Sequence, residues 1–377
     1  MSVYSTLRNA LFFLILPTRL VIWWLYFIPK SNRQNPAWSW KTSVSVQAAR
    51  SFIRHHTAIR YRTPKSLEPG PDGDRFIILN PQNTLSNTDS PVYKGILNSV
   101  PDIKPVPTGA VWYPAAPVQP PKKLVIHFHP SAFVILGARP SDDTAHGWGL
   151  DHFSELSGWP VLSIQYRLSL DADKTFPAAL QDAFTAYAYA LGTLKIHPSH
   201  IVLAGESAGG NLVLAMLRYI LTDNQALPLP RSALLLSPWV DLTDEGMNKT
   251  KMHQNARVDY IGYDLGHWGA TSYIPPGWEE TSPYFTPLGS EYKLSVPLFV
   301  HVGTSEVLYD DIMQFARNMK EKGTDVELHE APNAPHAIFS AGKGLGMEDV
   351  AIDGHARATR FIERTGPTSE SEVAGLR

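Results

Sequence analysis

Residues 205–210 read Gly-Glu-Ser-Ala-Gly-Gly, between an apolar run, Val202-Leu203-Ala204, and a stretch of helical spacing that begins at Ala208. Gly-x-Ser-x-Gly on a turn from a strand into a helix lifts the serine hydroxyl clear of the sheet. The turn forces Ser207 into a strained backbone conformation, and Gly205 and Gly209 leave room where strand and helix nearly touch. The chemistry such a serine performs is nucleophilic attack on a carbonyl carbon. The Ala208 amide, at the start of the helix, faces the oxyanion that would develop.

A serine needs a base, and on such a turn the partners follow it in the chain, acid before histidine. Six histidines lie downstream: His253, His267, His301, His329, His336 and His355. His301 and His329 fall inside strand-like runs and His355 on the final helix, while His253 and His267 sit in a long irregular stretch. His336, in "APNAPHAIF", occupies a loop between the last strand and the last helix, where catalytic groups collect, and is the expected base. The acid is expected just past the run 297–303, in "GTSEVLYDD". Glu306 is the first choice and Asp310 its rival; Asp310 and Asp311 also suit the first turn of a helix. The acid would orient the histidine and stabilise its charged form without taking the proton.

The elements that must position these groups follow from periodicity. Strand-like runs occur at 123–129, 160–167, 201–205, 232–239, 297–303 and 325–330. Helical spacing occurs at 176–194, from Ala208 to about Leu221, at 308–323 and from 347 to 363, with a helix-like patch at 44–59. Strands alternating with helices imply an α/β fold with a parallel sheet covered on both faces. The stretch 240–293 is too long for a plain connection and is expected to form part of a lid. The expected organisation is a hydrophobic segment (1–30), an extension or cap (31–110), a catalytic domain (111–365) containing the 240–293 insertion, and a tail (366–377).

The chain has 377 residues, 44% apolar and 18% charged, with a formal net charge of −2. That is a globular composition without the basic field that nucleic acid requires. With no cysteine, disulfides, thiolate metal sites and a cysteine nucleophile are excluded. No His-Glu-x-x-His pattern appears, His127 and His129 read as structural, and neither cofactor nor metal is implied. Residues 10–28, "ALFFLILPTRLVIWWLYFI", are apolar apart from Thr18 and Arg19. As a helix they would reach roughly 28 Å, near the thickness of a bilayer core. A membrane anchor is expected, spanning the bilayer or lying in its interface with Trp23, Trp24 and Tyr26 at headgroup depth. A helix packed on the body is the alternative, and a secretory signal is less favoured because no small-x-small cleavage site follows. If the segment spans, Lys30, Arg33 and Lys41 beyond it place the body in the cytosol.

The stretches "GESAGGN", "QYRLSLDADKTFPAALQDAFTAY", "SPYFTPL", "GTSEVLYDD" and "PHAIF" resemble the hormone-sensitive-lipase-like branch of α/β-hydrolases, which includes many microbial and fungal carboxylesterases. The likeness covers roughly residues 110 to 365. It implies an eight-stranded, mostly parallel sheet with a cap built from the N-terminal region and a mid-chain insertion. The family's oxyanion loop reads His-Gly-Gly-Gly, and the corresponding stretch here is "HPSAFVILG" from His129. By resemblance the donors are the amides of Ser131 and Ala132, joined by Ala208. Pro130 has no N–H but does not stand at a donor position.

The expected activity is therefore hydrolysis of a carboxylic ester through an acyl-enzyme on Ser207. Trp268, Tyr273, Trp278 and Tyr284 in the insertion suggest an apolar pocket or ordinary core, and a pocket of that kind would suit a lipid or secondary-metabolite ester. Two other readings stay open: a non-catalytic small-molecule binder on the same fold, and an acyltransferase using the same three residues.

Overall fold

Strand runs rich in valine, isoleucine and leucine must bury both faces, and here they do so in one sheet. A computed structural model describes residues 3–366 apart from 64, 86–89 and 142–143. Its strands are β1 (Phe76–Leu79), β2 (Thr108–Tyr113), β3 (Leu124–Phe128), β4 (Val161–Gln165), β5 (Ile201–Glu206), β6 (Ser232–Leu236), β7 (Leu298–Gly303) and β8 (Val326–Ala331). They lie in the order β1-β2-β4-β3-β5-β6-β7-β8. The β1–β2 and β2–β4 pairs are antiparallel and the rest parallel.

The helices are α1 (Val3–Tyr26), α2 (Trp40–Ala58), α3 (Thr144–Ser157), α4 (Ala178–Ala188), α5 (Ala208–Thr222), α6 (Asp244–Met252), α7 (Tyr263–Tyr273), α8 (Tyr309–Glu321), α9 (Ile338–Ala341) and α10 (Glu348–Arg364). Strand alternation sorts the core into two layers. Leu124, Ile126 and Phe128 of β3 join Leu180 and Phe184 of α4, Leu212 of α5 and Phe315 of α8. Val125, Val202 and Ala204 join Leu150 and Phe153 of α3 and Phe361 of α10 on the other face. At the end of β4, Arg167 Nε binds both oxygens of buried Asp182 at 3.0 Å, tying the strand to α4.

Four elements differ from the sequence expectations. The helix expected over 176–194 is α4 followed by a π-helical turn, Tyr189–Thr193. Residues 31–110 supply α2, β1 and the first residues of β2, so the sheet draws on the stretch read as an extension. β1 has only four residues and β2 begins Thr-Gly-Ala, so neither presents a long β-branched run. α3 was also not legible, because "TAHGWGLDHFSELS" carries two glycines.

Helix α1 stands apart in composition. Its Ser5–Tyr26 stretch is, among the described residues, the one long and apolar enough to cross a membrane, and almost none of it is buried. It packs along α2, with the Phe12 ring stacked on His55 at 4.1 Å and Trp24 edge-on to Trp40 at 5.0 Å.

Candidate active site

Ser207 sits between β5 and α5 with φ 57° and ψ −117°, a conformation unfavourable for a side-chain-bearing residue. The surroundings enforce it. A Cβ on Gly205 would stand 2.1 Å from the Gly209 carbonyl oxygen, and one on Gly209 would stand 2.0 Å from the Phe128 carbonyl oxygen. The Ser207 amide donates to Leu236 O at 2.9 Å and its carbonyl accepts from Trp239 N at 3.0 Å, so the end of β6 and the segment just after it clamp both sides of the turn. Asn211, one turn into α5, donates to Trp239 O and Phe285 O.

His336 lies on the loop between β8 and α9, and Nδ1 meets Glu306 Oε2 at 2.9 Å. Glu306 is completely buried, and its other oxygen accepts from Ser237 Oγ at 2.6 Å and from the Gly303 amide. With one carboxylate oxygen engaged this way, the other fixes the imidazole with the proton on Nδ1 and leaves Nε2 for chemistry. Burial alone would lower the His336 pKa, but the hydrogen bond and charge of Glu306, with the charges of Asp259 and Glu206, outweigh it and raise it. Asp310, the rival acid, is a surface residue on α8 whose carboxylate meets His253 Nε2 at 3.2 Å. It plays no part at His336.

Ser207, His336, Ser131 and Ala132 line one cavity of about 620 Å³. Ala132 and Phe133 both have positive φ, 47° and 63°. Tyr166 donates to His129 O at 2.7 Å, Ser131 Oγ bonds to Tyr166 Oη at 2.6 Å, and Ser131 Oγ accepts from the Phe133 amide at 2.8 Å. The Phe133 ring stacks on Tyr273 at 3.6 Å. Gly269 of α7 makes room, since a Cβ there would meet Ala132 O at 2.3 Å. Among the described residues, the amides of Ser131, Ala132 and Ala208 have no protein acceptor. Three free N–H groups beside a hydroxyl and an imidazole can hold a developing oxyanion.

Sequence reasoning missed Asp259. It is buried, and its carboxylate accepts from the His336 amide at 3.1 Å and the Val307 amide at 2.9 Å. It therefore joins the base loop to the acid turn. Burial pushes its pKa up to about 6. Asn255 braces the same turn, donating to Thr304 O and Glu306 O. Both come from the insertion, and no spacing relates them to Ser207. Glu206 is buried against Ser340, and burial raises its pKa to about 8.

The apolar walls come from Ile135, Leu136, Trp239, Leu265 and Leu308, together with α1 and α2. Trp268, Tyr273, Trp278 and Tyr284 do not line the cavity. Tyr273, Trp278 and Tyr284 pack around Phe176 and Phe285, and Trp268 is buried in the same core with Arg60 over its ring, because the insertion folds back on the body. The core alternative for these aromatics is the correct one.

A family model described as "alpha/beta hydrolase fold" matches residues 125–340. The chain is 32% identical over 182 residues to an acetyl-hydrolase of Streptomyces hygroscopicus, covering 48% of this chain and 58% of that protein. It is 28% identical over 210 residues to an esterase of Acinetobacter venetianus, covering 55% and 64%. The alignments thus span less than two thirds of either relative. An esterase of the bacterial hormone-sensitive lipase family superposes with a TM-score of 0.61 at 23% identity, covering 87% of this chain and 99% of that one. A Pyrobaculum calidifontis esterase gives 0.61 at 18% identity, covering 86% and 93%.

Proposed function

The chain belongs to the α/β-hydrolase family, and from that premise we propose that it is a serine carboxylesterase acting on lipophilic esters. Ser207 Oγ attacks the ester carbonyl carbon while His336 Nε2 takes its proton. The tetrahedral oxyanion rests on the amides of Ser131, Ala132 and Ala208. His336 then protonates the leaving alcohol, the C–O bond breaks, and an acyl-enzyme remains on Ser207. Water, deprotonated by His336, attacks that ester and releases the acid. Glu306 holds the imidazole and stabilises its charged form. The observation that carries the reading is the 2.9 Å bond between Glu306 and His336, with His336 and the elbow serine lining one cavity. The relatives named esterase and acetyl-hydrolase support the reaction class.

The apolar lining supports a substrate with long hydrocarbon parts, such as a lipid or a lipophilic secondary metabolite. In this reading α2, α6 and α7 form the cap and α1 attaches the body to a membrane. The cations Lys30, Arg33 and Lys41 favour the cytosolic side. Labelling with a fluorophosphonate probe tests the mechanism. The native chain is expected to label, and Ser207→Ala and His336→Ala to lose labelling. Each change should also lower ester hydrolysis by on the order of 10⁵–10⁶-fold. A folded native chain that takes no label would sink the proposal.

A further inference from the structure

We infer that α1 lies flat on an anionic membrane surface and forms one wall of the ester site, so that substrate enters from the lipid. This rests on the esterase reading and names where its substrate comes from. Four observations carry it.

The first is geometry. Phe12, Leu16 and Leu20, spaced i, i+4 and i+8 on α1, line the cavity that holds Ser207 and His336. Across the gap, Ser45, Ala49 and Phe52 of α2 complete that side. A helix that crossed a bilayer would have lipid around it through the hydrocarbon layer. This one has a flank committed to α2, through Phe12 on His55 and the 3.0 Å contact of Asn9 Oδ1 with His55 Nε2.

The second is the opposite face. Leu7, Leu11, Leu14, Val21, Ile22 and Leu25 are exposed, Leu14 by 75%. A contiguous apolar helix face of this kind, with Trp24 and Tyr26 at its end, matches helices that embed in the headgroup boundary.

The third is a groove along the α1–α2 seam, of about 430 Å³, lined by Arg8 and Arg19 of α1 and Arg50 and Arg54 of α2. Arg8 and Arg19 are 11 residues apart, three helical turns, and so share a face. Among the described residues no carboxylate lines the groove. Phosphate headgroups would find guanidinium donors there while the acyl chains meet the exposed leucines.

The fourth is the charge distribution. The first 67 residues contain ten Lys or Arg and no Asp or Glu, although the whole chain is −2. The positive charge is concentrated in the part that carries the apolar helix, which selects an anionic surface over another acidic globular body.

The test uses the full chain and vesicles of phosphatidylcholine, with or without phosphatidylglycerol. The native protein is expected to sediment with both and more completely with the anionic ones. Arg8→Glu with Arg19→Glu should abolish that preference. Leu14→Glu with Val21→Glu should leave the protein in the supernatant. This second variant should hydrolyse a short water-soluble ester at the native rate and lose roughly tenfold or more on a long-chain ester carried in vesicles. Native protein that ignores vesicles would overturn the inference, as would a Leu14→Glu, Val21→Glu variant with full activity on the vesicle-borne ester. Alkaline carbonate should release the native protein from membranes; resistance to extraction would mean that α1 spans and would overturn the flat geometry. Vesicle sedimentation reads the membrane face even if no ester is cleaved, so failure of the esterase reading and failure of this one are distinguishable.

Discussion

The turn at Ser207 and the loop from Ser131 to Phe133 border the same cavity, and both hold side-chain-bearing residues at positive φ. They are built from opposite materials. Around Ser207 the glycines are required by volume: backbone atoms lie about 2 Å from where a Cβ would be, and no rearrangement of a flexible neighbour relieves that. At the loop, proline, serine and alanine stand where the resemblance would place glycines, and Ala132 and Phe133 take the positive φ. A positive φ costs such residues roughly 1–2 kcal/mol each. The Ser131–Tyr166 bond, the Phe133 amide bond to Ser131 Oγ and the Phe133–Tyr273 stack offset it. The close approach that the missing glycines would have allowed is supplied from the other side, by Gly269 on α7. A glycine demanded by volume is hard to replace, whereas one demanded only by backbone angle can be replaced if the fold supplies restraining contacts.

The contrast can be tested at its two ends. Gly209→Ala should be the most damaging change, destabilising the protein by at least about 3 kcal/mol because a methyl must displace backbone. Thermal unfolding and soluble yield would read it, and a near-native melting temperature would break the volume argument. Ser131→Ala removes two buried hydrogen bonds from the loop but keeps its amide. It is expected to lower kcat/KM roughly tenfold, from about 1–1.5 kcal/mol of lost positioning. An unchanged rate would mean that the Phe133 stack alone restrains the loop.

A third test concerns the charge beside the elbow. The Glu206 carboxyl has its pKa raised to about 8 from an ordinary 4.5 by burial. The native state therefore binds more protons than the unfolded chain between those values. The sign follows: its contribution is fully present below the unfolded value and is lost as pH rises through about 8. Denaturant unfolding across that window should show Glu206→Gln losing stability less steeply with rising pH than the native chain, because this group's own contribution falls with pH. The smallest effect is expected for Ala132→Gly. It relieves backbone strain at a position already bordered by free space in the cavity, so stability should change by less than about 1 kcal/mol and kcat/KM by no more than roughly threefold. A hundredfold gain in rate would show instead that Ala132 distorts the oxyanion loop.

Much of this was written in local sequence. The strand runs β3 to β8 and helices α5, α8 and α10 are continuous apolar or amphipathic stretches, so periodicity alone reveals them. Glu306 and His336 could be chosen because each lies just beyond a strand end, and the structure joins them while sending Asp310 to the surface. Asp259, Asn255 and Tyr166 could not be found that way. Asp259 reaches His336 across 77 residues, and Tyr166 reaches Ser131 across 35. Such hydrogen bonds leave no mark in spacing. The insertion aromatics resembled pocket walls for the same reason, since a tryptophan packed on Phe285 and one facing a ligand look alike in one dimension.

The sequence by itself determined the α/β alternation, the elbow and the chain order of the elbow serine, Glu306 and His336, because each depends on neighbours along the chain. It also determined that an apolar, acid-free segment precedes the body. Only the tertiary structure decided where that segment goes, which faces of α1 meet the cavity and the solvent, and how a loop without glycine is held at positive φ. Those outcomes depend on volumes and hydrogen bonds between residues far apart in the chain, and these exist only once the chain has packed.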